Sequence, residues 1–528
     1  MADTSTLGVA AAVALGIYLL RRLWRGPKPV EQIHRRGRTL RSAQEAHDLL
    51  SQRRRPFDAG LRLGCQLFPS DIATRHFAFI GTTGSGKTLL QRLLMQSALA
   101  PLGRGVGHRA VVYDAKQDTL AVLSGMKVGG EIHLLNPLDA RAVGWDMAAD
   151  IECPAAALQV ANTLVPAAKN DANPFFANAA RHLLYGALLA LMERAPRRWS
   201  FRQALLLLRE PVRLQALLSR TESTRHLLTY FAHPGTAQNI FATVLTTTSP
   251  FEIIAACWDR AGKSLSLADW LAGESILVLG NDEQNRVALD TINQLLFQRL
   301  AELVLAGPEV DDRVLTARRT WFFLDEIREA GRLDLLGRLL TKGRSKGVAV
   351  ALGFQDLSGM REVYGAERAE ELLGQCNTKV ILRLNSPETA AWAAKLFGNR
   401  EVLEKRLGHS RNRRVSLNRE VSSGDSVSHA IAQQPLVLDS QIMDLPETTR
   451  ENGIHAFLVN PLTGPFADHL EPAVLSRHLF PPDPRTQNFL PRPHAHQYLR
   501  PWSVADDVAL GLDPSDATNE STEGDACE

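Results

Sequence analysis

The stretch HFAFIGTTGSGKT, residues 76–88, decides how the rest of this 528-residue sequence is interpreted. Its last eight residues satisfy the pattern G-x-x-x-x-G-K-[ST], in which glycines let backbone N–H groups approach phosphates. The lysine of such a loop reaches the β- and γ-phosphates, and the following hydroxyl binds magnesium. An apolar run before the loop and a leucine-rich run after it predict strand, loop and helix, the context that this motif requires. The predicted nucleoside triphosphate-binding residues are Gly81, Thr82, Thr83, Gly84, Ser85, Gly86, Lys87 and Thr88.

A second part of the same site is contained in WFFLDE, residues 321–326. The four apolar residues predict a buried strand, and α/β sheets bind their ligands at the carboxyl ends of strands. We expect Asp325, together with Thr88, to hold magnesium, and Glu326 to orient and deprotonate the attacking water. An adjacent Asp-Glu pair favours an ATP-driven motor over a GTP switch, and the base-reading sequence N-K-x-D of GTPases does not occur.

Three further polar residues are candidates for the reaction. Gln355 ends the next predicted strand, where it can touch the γ-phosphate and report hydrolysis; a hydrogen-bonding residue without that role is the alternative. Arg344 lies on the turn before that strand, from which an arginine finger could reach the site of a neighbouring subunit. Arg75, just before the phosphate-loop strand, has the same potential, and a surface arginine is the alternative for both.

Short apolar runs alternate with helical patterns along most of the sequence. This alternation predicts an α/β fold with a mostly parallel sheet covered by helices on both faces. It stops between residues 151 and 268, where all patterns are helical, so we predict an all-α domain inserted into the sheet domain. The predicted strands are residues 76–80, 110–115, 131–136, 275–280, 320–326, 347–354, 379–384 and 455–459.

The two ends of the sequence carry opposite charge. Residues 21–63 contain twelve Lys or Arg against four Asp or Glu, whereas residues 506–528 contain eight Asp or Glu and no Lys or Arg. This division predicts different partners for a basic neck and an acidic tail, with solvated linkers as the alternative for each. The five cysteines are scattered and never spaced C-x-x-C, which suits a reducing compartment and predicts neither a disulfide framework nor a zinc site.

An apolar run, LGVAAAVALGIYLL, covers residues 7–20. As a helix it would extend about 21 Å, short of a hydrocarbon core of about 30 Å unless flanking arginines snorkel. Positive charges follow this run instead of preceding it, which predicts an uncleaved, single-pass membrane anchor with the bulk of the chain in the cytoplasm. A helix packed into a partner protein is the alternative.

These patterns divide the sequence into segments. An arginine-rich stretch at 404–420 could face a channel and contact DNA phosphates, an interaction that salt would weaken, and a solvated loop is the alternative. The predicted segments are a transmembrane anchor (1–26), a basic neck (27–64), the first part of the nucleotide-binding domain (65–150), the all-α domain (151–268), the second part of the nucleotide-binding domain (269–480) and a proline-containing, acidic, disordered tail (481–528).

With these residues assembled, the sequence resembles the type IV coupling proteins of bacterial conjugation, the TraD/TrwB group of DNA-pumping ATPases. The resemblance covers residues 65–470 and is most specific over 322–398, where the Asp-Glu strand, the arginine turn and the glutamine strand follow one another. It supports Arg344 and Arg75 as finger candidates and Gln355 as the coupling residue. The other matching stretches are HFAFIGTTGSGKT, VVYDAKQD (111–118), LLNPLDARAVGWD (134–146) and NPFFANAARHLL (173–184).

The resemblance implies a RecA/FtsK-like ATPase that uses ATP and Mg²⁺ and assembles as a homo-hexamer at the bacterial inner membrane. Such a ring takes single-stranded DNA bearing a relaxase from the relaxosome and delivers it to a type IV secretion channel. The all-α domain then corresponds to the family's domain at the cytoplasmic mouth of the ring, which receives DNA and substrate proteins. The acidic tail resembles extensions that contact relaxosome proteins.

The sequence departs from the family pattern in two places. Members commonly carry two membrane spans, whereas this sequence has one marginal span, and the usual Y-D-P-K-G-E reads YDAKQD here, so we assign no role to Asp114 or Lys116. Two other interpretations stay open at this point. One is a DNA pump of the FtsK/HerA type that is not tied to secretion, and the other is a non-translocating secretion-system ATPase or scaffold.

Overall fold

A computed structural model describes residues 32–166, 174–311, 314, 317–413 and 421–512. The described residues form two compact units, a larger one within 41–390 and 439–512 and a smaller one within 32–40 and 391–438. Residues 399–435, which the sequence analysis places in the second part of the nucleotide-binding domain, lie in the smaller unit. The predicted anchor at 1–26 lies outside the described residues.

The strands and helices of the described residues are numbered in chain order. The strands are β1 (Gln32–Gly37), β2 (Leu61–Leu63), β3 (Gln66–Phe68), β4 (Phe77–Ile80), β5 (Arg109–Asp114), β6 (Glu131–Leu134), β7 (Gly144–Trp145), β8 (Ser264–Leu265), β9 (Ser275–Gly280), β10 (Thr320–Leu324), β11 (Val348–Phe354), β12 (Thr378–Ile381), β13 (Asn399–Arg413), β14 (Val421–Pro435), β15 (Ile454–Asn460) and β16 (Gly464–Leu470). The helices are α1 (Ala43–Arg53), α2 (Lys87–Leu99), α3 (Thr119–Met126), α4 (Met147–Asp150), α5 (Pro154–Leu164), α6 (Phe175–Arg194), α7 (Phe201–Arg209), α8 (Pro211–Ser219), α9 (Pro234–Thr248), α10 (Glu252–Asp259), α11 (Leu267–Ala272), α12 (Arg286–Ala306), α13 (Leu336–Lys342), α14 (Leu357–Tyr364), α15 (Ala366–Gln375), α16 (Pro387–Phe397), α17 (Asp439–Met443), α18 (Pro472–His478) and α19 (Val504–Leu510).

The larger unit is built on a sheet in which nine strands of the described residues have the order β16-β15-β12-β4-β11-β10-β5-β9-β6. Neighbouring strands from β12 to β6 run parallel, and only β15 and β16 add antiparallel pairs at one end. Every residue of β4, β9, β10 and β11 is buried, which is the pattern of a sheet covered on both faces. The predicted α/β fold with a mostly parallel sheet is therefore confirmed.

The insertion between the strands is helical, as expected. From Pro154 to Asp259 the described residues form α-helices and 3-10 turns. Asp150 holds the entry and exit of this insertion together, because its carboxylate accepts hydrogen bonds from Trp145 Nε1 at 2.6 Å and from the backbone N–H of Leu267 at 2.7 Å. Asp150 is only 2% exposed, and a buried carboxylate needs such donors.

Residues 481–512 are ordered, so the prediction of a disordered tail is wrong over this part. Arg492 is buried and donates to three backbone carbonyls beside the sheet. Asp506 forms an ion pair at 2.8 Å with Arg202 of the helical insertion. The acidic composition was misleading because Asp506 neutralises a buried arginine instead of facing water. Residues 513–528 lie outside the described residues.

The smaller unit contains a three-stranded antiparallel sheet in the order β1-β13-β14. Strands β13 and β14 pair along their full length, from Asn399 opposite Pro435 to Arg413 opposite Val421. Most of the arginine-rich stretch therefore lies on one strand of a long hairpin, and its remaining residues, 414–420, lie outside the described residues.

Two helical segments of the described residues, Phe175–Arg194 and Pro234–Asp259, are long and apolar enough to cross a membrane. About half of the apolar window of each segment is buried within the protein. Among the described residues, Cys65, Cys153, Cys257 and Cys376 are free thiols.

Candidate nucleotide site

The phosphate loop lies between the carboxyl end of β4 and the amino end of α2, as its sequence predicts. Gly84 and Gly86 have φ angles of +79° and +91°, a region that favours glycine. A Cβ atom on Gly86 would also lie 2.9 Å from the Thr448 side chain, so this position requires glycine twice over. The loop begins on the sheet, where the backbone N–H of Thr82 donates to the carbonyl of Arg383 at 3.0 Å.

The two halves of the predicted site meet. The ammonium of Lys87 lies 2.7 Å from Oε1 of Glu326, and the hydroxyl of Thr88 donates to Oδ2 of Asp325 at 3.0 Å. Lys87 is 5% exposed, so its charge requires a partner, and Glu326 supplies one. Strand β11 lies between β4 and β10, and the loops that leave the carboxyl ends of these strands bring the four side chains together.

Two buried polar atoms at this site are free to bind a magnesium ion or a phosphate group. Oδ1 of Asp325 and Oγ of Ser85 are buried and have no hydrogen-bond partner among the described residues. Carboxylate and hydroxyl oxygens are the protein ligands that Mg²⁺ uses, usually one or two of them beside phosphate and water. Asp325, Thr88 and the phosphate loop therefore fit a magnesium-nucleotide complex.

Gln355 connects the phosphate loop to the acidic pair. Its Oε1 accepts from the hydroxyl of Thr83 at 3.3 Å, and its Nε2 donates to Oε1 of Glu326 at 3.2 Å. Glu326 has a φ of +55°, a conformation that costs about 1–3 kcal/mol for a residue other than glycine. Such a backbone persists only where its surroundings hold it, and Lys87 and Gln355 hold the side chain.

A cavity of about 540 Å³ opens over the phosphate loop. It is also lined by residues that motif reading did not select: Lys116 follows β5, Glu283 follows β9, Glu329 follows β10 and Thr448 precedes β15. Lys116 belongs to YDAKQD, to which sequence analysis assigned no role. The signal that could have found it is topological, because β5 and β10 are adjacent and parallel and end at one edge.

The two arginine candidates lie at the opposite edge of the sheet. Arg75 ends a 3-10 turn just before β4, and Arg344 lies in the turn Gly343–Lys346 just before β11. Since β11 has seven residues, about 23 Å of extended chain separates its amino end from Gln355. The structure therefore does not bring Arg75 or Arg344 to the phosphate loop of their own chain.

His76 lies at this edge, close enough to Arg344 to be affected by its charge. Its Nδ1 accepts from the backbone N–H of Val350 at 3.2 Å, and its Nε2 lies 2.9 Å from the carbonyl of Leu340, so the ring is neutral. Burial is the main cause that lowers the pKa of His76 to about 4, and the nearby charge of Arg344 acts in the same direction.

A family model described as the type IV secretion-system coupling protein DNA-binding domain matches residues 62–463, which is more than half of the chain. The chain belongs to this family. The match contains the phosphate loop, the helical insertion and the hairpin of the smaller unit. It therefore assigns both halves of the candidate site to a coupling-protein domain.

Solved coupling proteins have the same fold. An unbound form of the bacterial conjugative coupling protein TrwB aligns with a TM-score of 0.65 and 22% identity, covering 89% of this chain and 98% of that one. TrwB in complex with ADP and Mg²⁺ aligns with a TM-score of 0.63 and 21% identity, covering 88% and 99%. At these identities the comparison establishes the coupling-protein fold.

Curated coupling-protein relatives are longer than the region they share with this chain. Coupling protein TraD of Escherichia coli K12 is 25% identical over 398 residues, which are 74% of this chain and 52% of TraD. Conjugal transfer protein TraG of Agrobacterium fabrum C58 is 27% identical over 128 residues, 24% of this chain and 18% of TraG. The chain thus spans about half of TraD and a smaller part of TraG.

Proposed function

We propose that this chain is an ATP-dependent translocase that moves single-stranded DNA, with an attached relaxase, from the relaxosome into a type IV secretion channel. One observation carries the proposal: Lys87, Thr88, Asp325 and Glu326 meet at one edge of the sheet in a chain of the coupling-protein family. The helical insertion and the long hairpin supply surfaces for the transported molecules.

ATP and Mg²⁺ are the proposed cofactors, and TrwB has been solved with ADP and Mg²⁺. Bound ATP supplies the phosphoanhydride bond to be cleaved, and the metal ion stabilises the charge that develops on the phosphates. Thr88 and Asp325 would hold the ion, and the N–H groups from Gly81 to Thr88 would surround the phosphates. Lys87 would leave Glu326 for the phosphates, because three negatively charged groups are a stronger partner than one carboxylate.

Release of Lys87 gives Glu326 its role. A carboxylate paired with an ammonium at 2.7 Å is a poor base, whereas a carboxylate freed by nucleotide binding can orient the attacking water and accept its proton. Gln355, which contacts both Glu326 and Thr83, would sense the γ-phosphate and pass its loss to β11. Glu326 therefore becomes an effective base only after a nucleotide has bound and drawn Lys87 away.

We place the arginine finger in a neighbouring subunit. Arg344 is the first candidate because it is exposed on a turn, and Arg75 is the second. A head-to-tail contact that brings the amino edge of one sheet to the carboxyl edge of the next closes into a ring, here proposed as a homo-hexamer. Each site is then completed by the following subunit.

The ends of the chain extend this proposal. Residues 1–26 would anchor the protein in the bacterial inner membrane by a single span, with the rest in the cytoplasm. The carboxylates beyond Leu512 would contact relaxosome proteins. The division into nucleotide-binding domain and all-α domain, with the boundaries predicted from the sequence, belongs to the same proposal.

Steady-state ATPase activity of the purified chain with and without single-stranded DNA tests the proposal. We expect stimulation by DNA that is lost in Lys87→Ala, because a translocase couples turnover to its track. Hydrolysis that DNA leaves unchanged would support a secretion scaffold instead. If DNA stimulates the ATPase of the unaltered chain but conjugative transfer persists in cells that carry only Lys87→Ala, a DNA pump that is not tied to secretion is favoured.

A further inference from the structure

Helix α12 starts with a residue that does not stabilise helices at that end. Arg286 is its first residue, and no acidic residue lies in its first turn. The amino end of a helix carries a partial positive charge, so a cation there is unfavourable. The position of Arg286 therefore calls for a reason outside the helix.

That reason is a set of carboxylates around its guanidinium. Arg286 pairs with Glu329, and it also lies 3.4 Å from Asp290 and 3.5 Å from Glu283. Asp290 is one turn further along α12, whereas Glu329 comes from the loop that follows β10. Of these three pairs, the one with Glu329 connects the helix to the Asp-Glu loop.

Glu329 belongs to the turn that fixes Glu326. Its backbone N–H donates to the carbonyl of Glu326 at 2.8 Å, and its own carbonyl accepts from the Tyr113 hydroxyl at 2.9 Å. The turn is held at its start by a bond from Ile327 N–H to the Gly353 carbonyl. At its far end, the Tyr113 hydroxyl holds the backbone and Arg286 holds the side chain.

The rest of α12 contacts the elements that must respond to hydrolysis. It packs against α5 and α11, near the entry and exit of the helical insertion, and against the Arg344 turn. Glu302, four turns along α12, accepts a hydrogen bond from Gln159 of α5. A displacement of α12 therefore acts on the insertion and, through Arg286, on the Glu326 turn.

We propose that Arg286 is a positioning residue for hydrolysis: through Glu329 it holds the turn that orients Glu326, and it makes that orientation depend on α12 and the helical insertion. The inference rests on the proposed role of Glu326 as the base. Arg286 need not touch the nucleotide, because its effect is transmitted through the turn.

The same turn offers a matched control. Arg328 pairs with Glu362 at 2.8 Å, and both side chains are more than half exposed. Exposed pairs of this kind contribute little to stability, and this one leads away from α12. Arg328→Ala therefore removes an arginine of the same turn without affecting the connection to the helix.

The test measures kcat and KM for ATP, together with Tm, in Arg286→Ala, Arg286→Lys and Arg328→Ala. We expect Arg286→Ala to lower kcat by about tenfold or more with KM within twofold, since an interaction that matters only to the reacting state affects kcat alone. Arg286→Lys should restore part of the loss because it keeps the charge. Arg328→Ala should stay within twofold of the unaltered chain.

A merely structural role gives the opposite pattern, in which Arg286→Ala lowers Tm and leaves kcat within twofold; that result overturns the inference. Combination with Glu326→Gln separates the two proposals. If Glu326→Gln lowers kcat strongly and the double variant Glu326→Gln/Arg286→Ala has the same kcat as Glu326→Gln alone, the two residues act on one step. If Glu326→Gln retains full turnover, the proposed function fails first. If Glu326→Gln removes turnover but Arg286→Ala behaves like Arg328→Ala, only the positioning role fails.

Discussion

The two edges of the central sheet differ in what they contain. The carboxyl edge collects the phosphate loop, Asp325, Glu326 and Gln355 within hydrogen-bond distance of one another. The amino edge, a strand length away, presents Arg344 on an exposed turn and contains the buried, neutral His76. The carboxyl edge collects the side chains of the predicted nucleotide site, whereas the amino edge holds the arginine that we propose acts on the site of a neighbouring chain.

Removing the lysine of the carboxyl edge has the largest expected effect. Lys87→Ala should lower ATP turnover by at least about a thousandfold, because the phosphates lose their buried counter-charge and Glu326 loses its partner. The rate of phosphate release measures turnover, and titration with fluorescent ADP measures nucleotide affinity. Retention of wild-type turnover would refute the site.

Replacing the base separates binding from chemistry at the same edge. Glu326→Gln should bind ATP normally while turning it over about 10²–10⁴-fold more slowly, since the amide orients water but accepts no proton. Glu362→Gln, which removes a carboxylate from an exposed pair on the neighbouring face, is the control. Equal losses in the two variants would count against a specific role for Glu326.

At the amino edge, the arginine turn should matter nearly as much although it lies far from the loop. Arg344→Ala is expected to reduce kcat by about a thousandfold with little change in nucleotide affinity, the signature of a group that acts on the transition state. Lys342→Ala, on the same exposed surface, serves as the control. Activity within twofold of wild type would leave Arg75 as the remaining finger candidate.

Gln355 should have a smaller effect, because it contacts Glu326 and Thr83 without carrying a charge. Gln355→Ala is expected to lower turnover by about tenfold and to weaken its stimulation by single-stranded DNA more than its basal rate. Parallel assays with and without DNA measure the difference. An equal loss in both assays would assign Gln355 to the chemical step and not to coupling.

His76 gives the smallest and most local prediction. With a folded-state pKa of about 4 against about 6.5 in the unfolded chain, the unfolded state takes up the proton first as pH falls. The stability that the neutral imidazole of His76 contributes is fully present above pH 6.5 and is lost as the pH falls towards 4. Urea titrations at pH 7 and pH 5 should show that the free energy of unfolding falls by about 2 kcal/mol more in the unaltered chain than in His76→Gln. Equal losses would contradict a buried, neutral imidazole.

The carboxyl edge could be predicted from the sequence because its signals are local. The loop motif and WFFLDE each lie at the end of a short apolar run, and the observed strands β4 and β10 begin and end within two residues of the predicted ones. The parallel order of the sheet followed from the alternation of apolar and helical patterns, and it too is confirmed.

What the sequence did not reveal depends on distant partners. Asp506 appeared to belong to a solvated tail, yet it pairs with Arg202 some three hundred residues earlier. The hairpin of β13 and β14 is long and polar, and it lacks the apolar alternation by which strands are recognised. Lys116, Glu329 and Arg286 converge on the site only because β5, β9 and β10 end at the same edge.

The most direct test of the complementary edges is an assay of mixed rings. Arg344→Ala keeps an intact carboxyl edge and Lys87→Ala keeps an intact amino edge, so at equal amounts about one interface in four should combine the two. We predict that ATPase activity, nearly absent in either variant alone, returns in the mixture and is highest near a ratio of one to one. Absence of activity at every ratio, in mixtures shown to assemble together, would contradict a site shared between neighbouring chains.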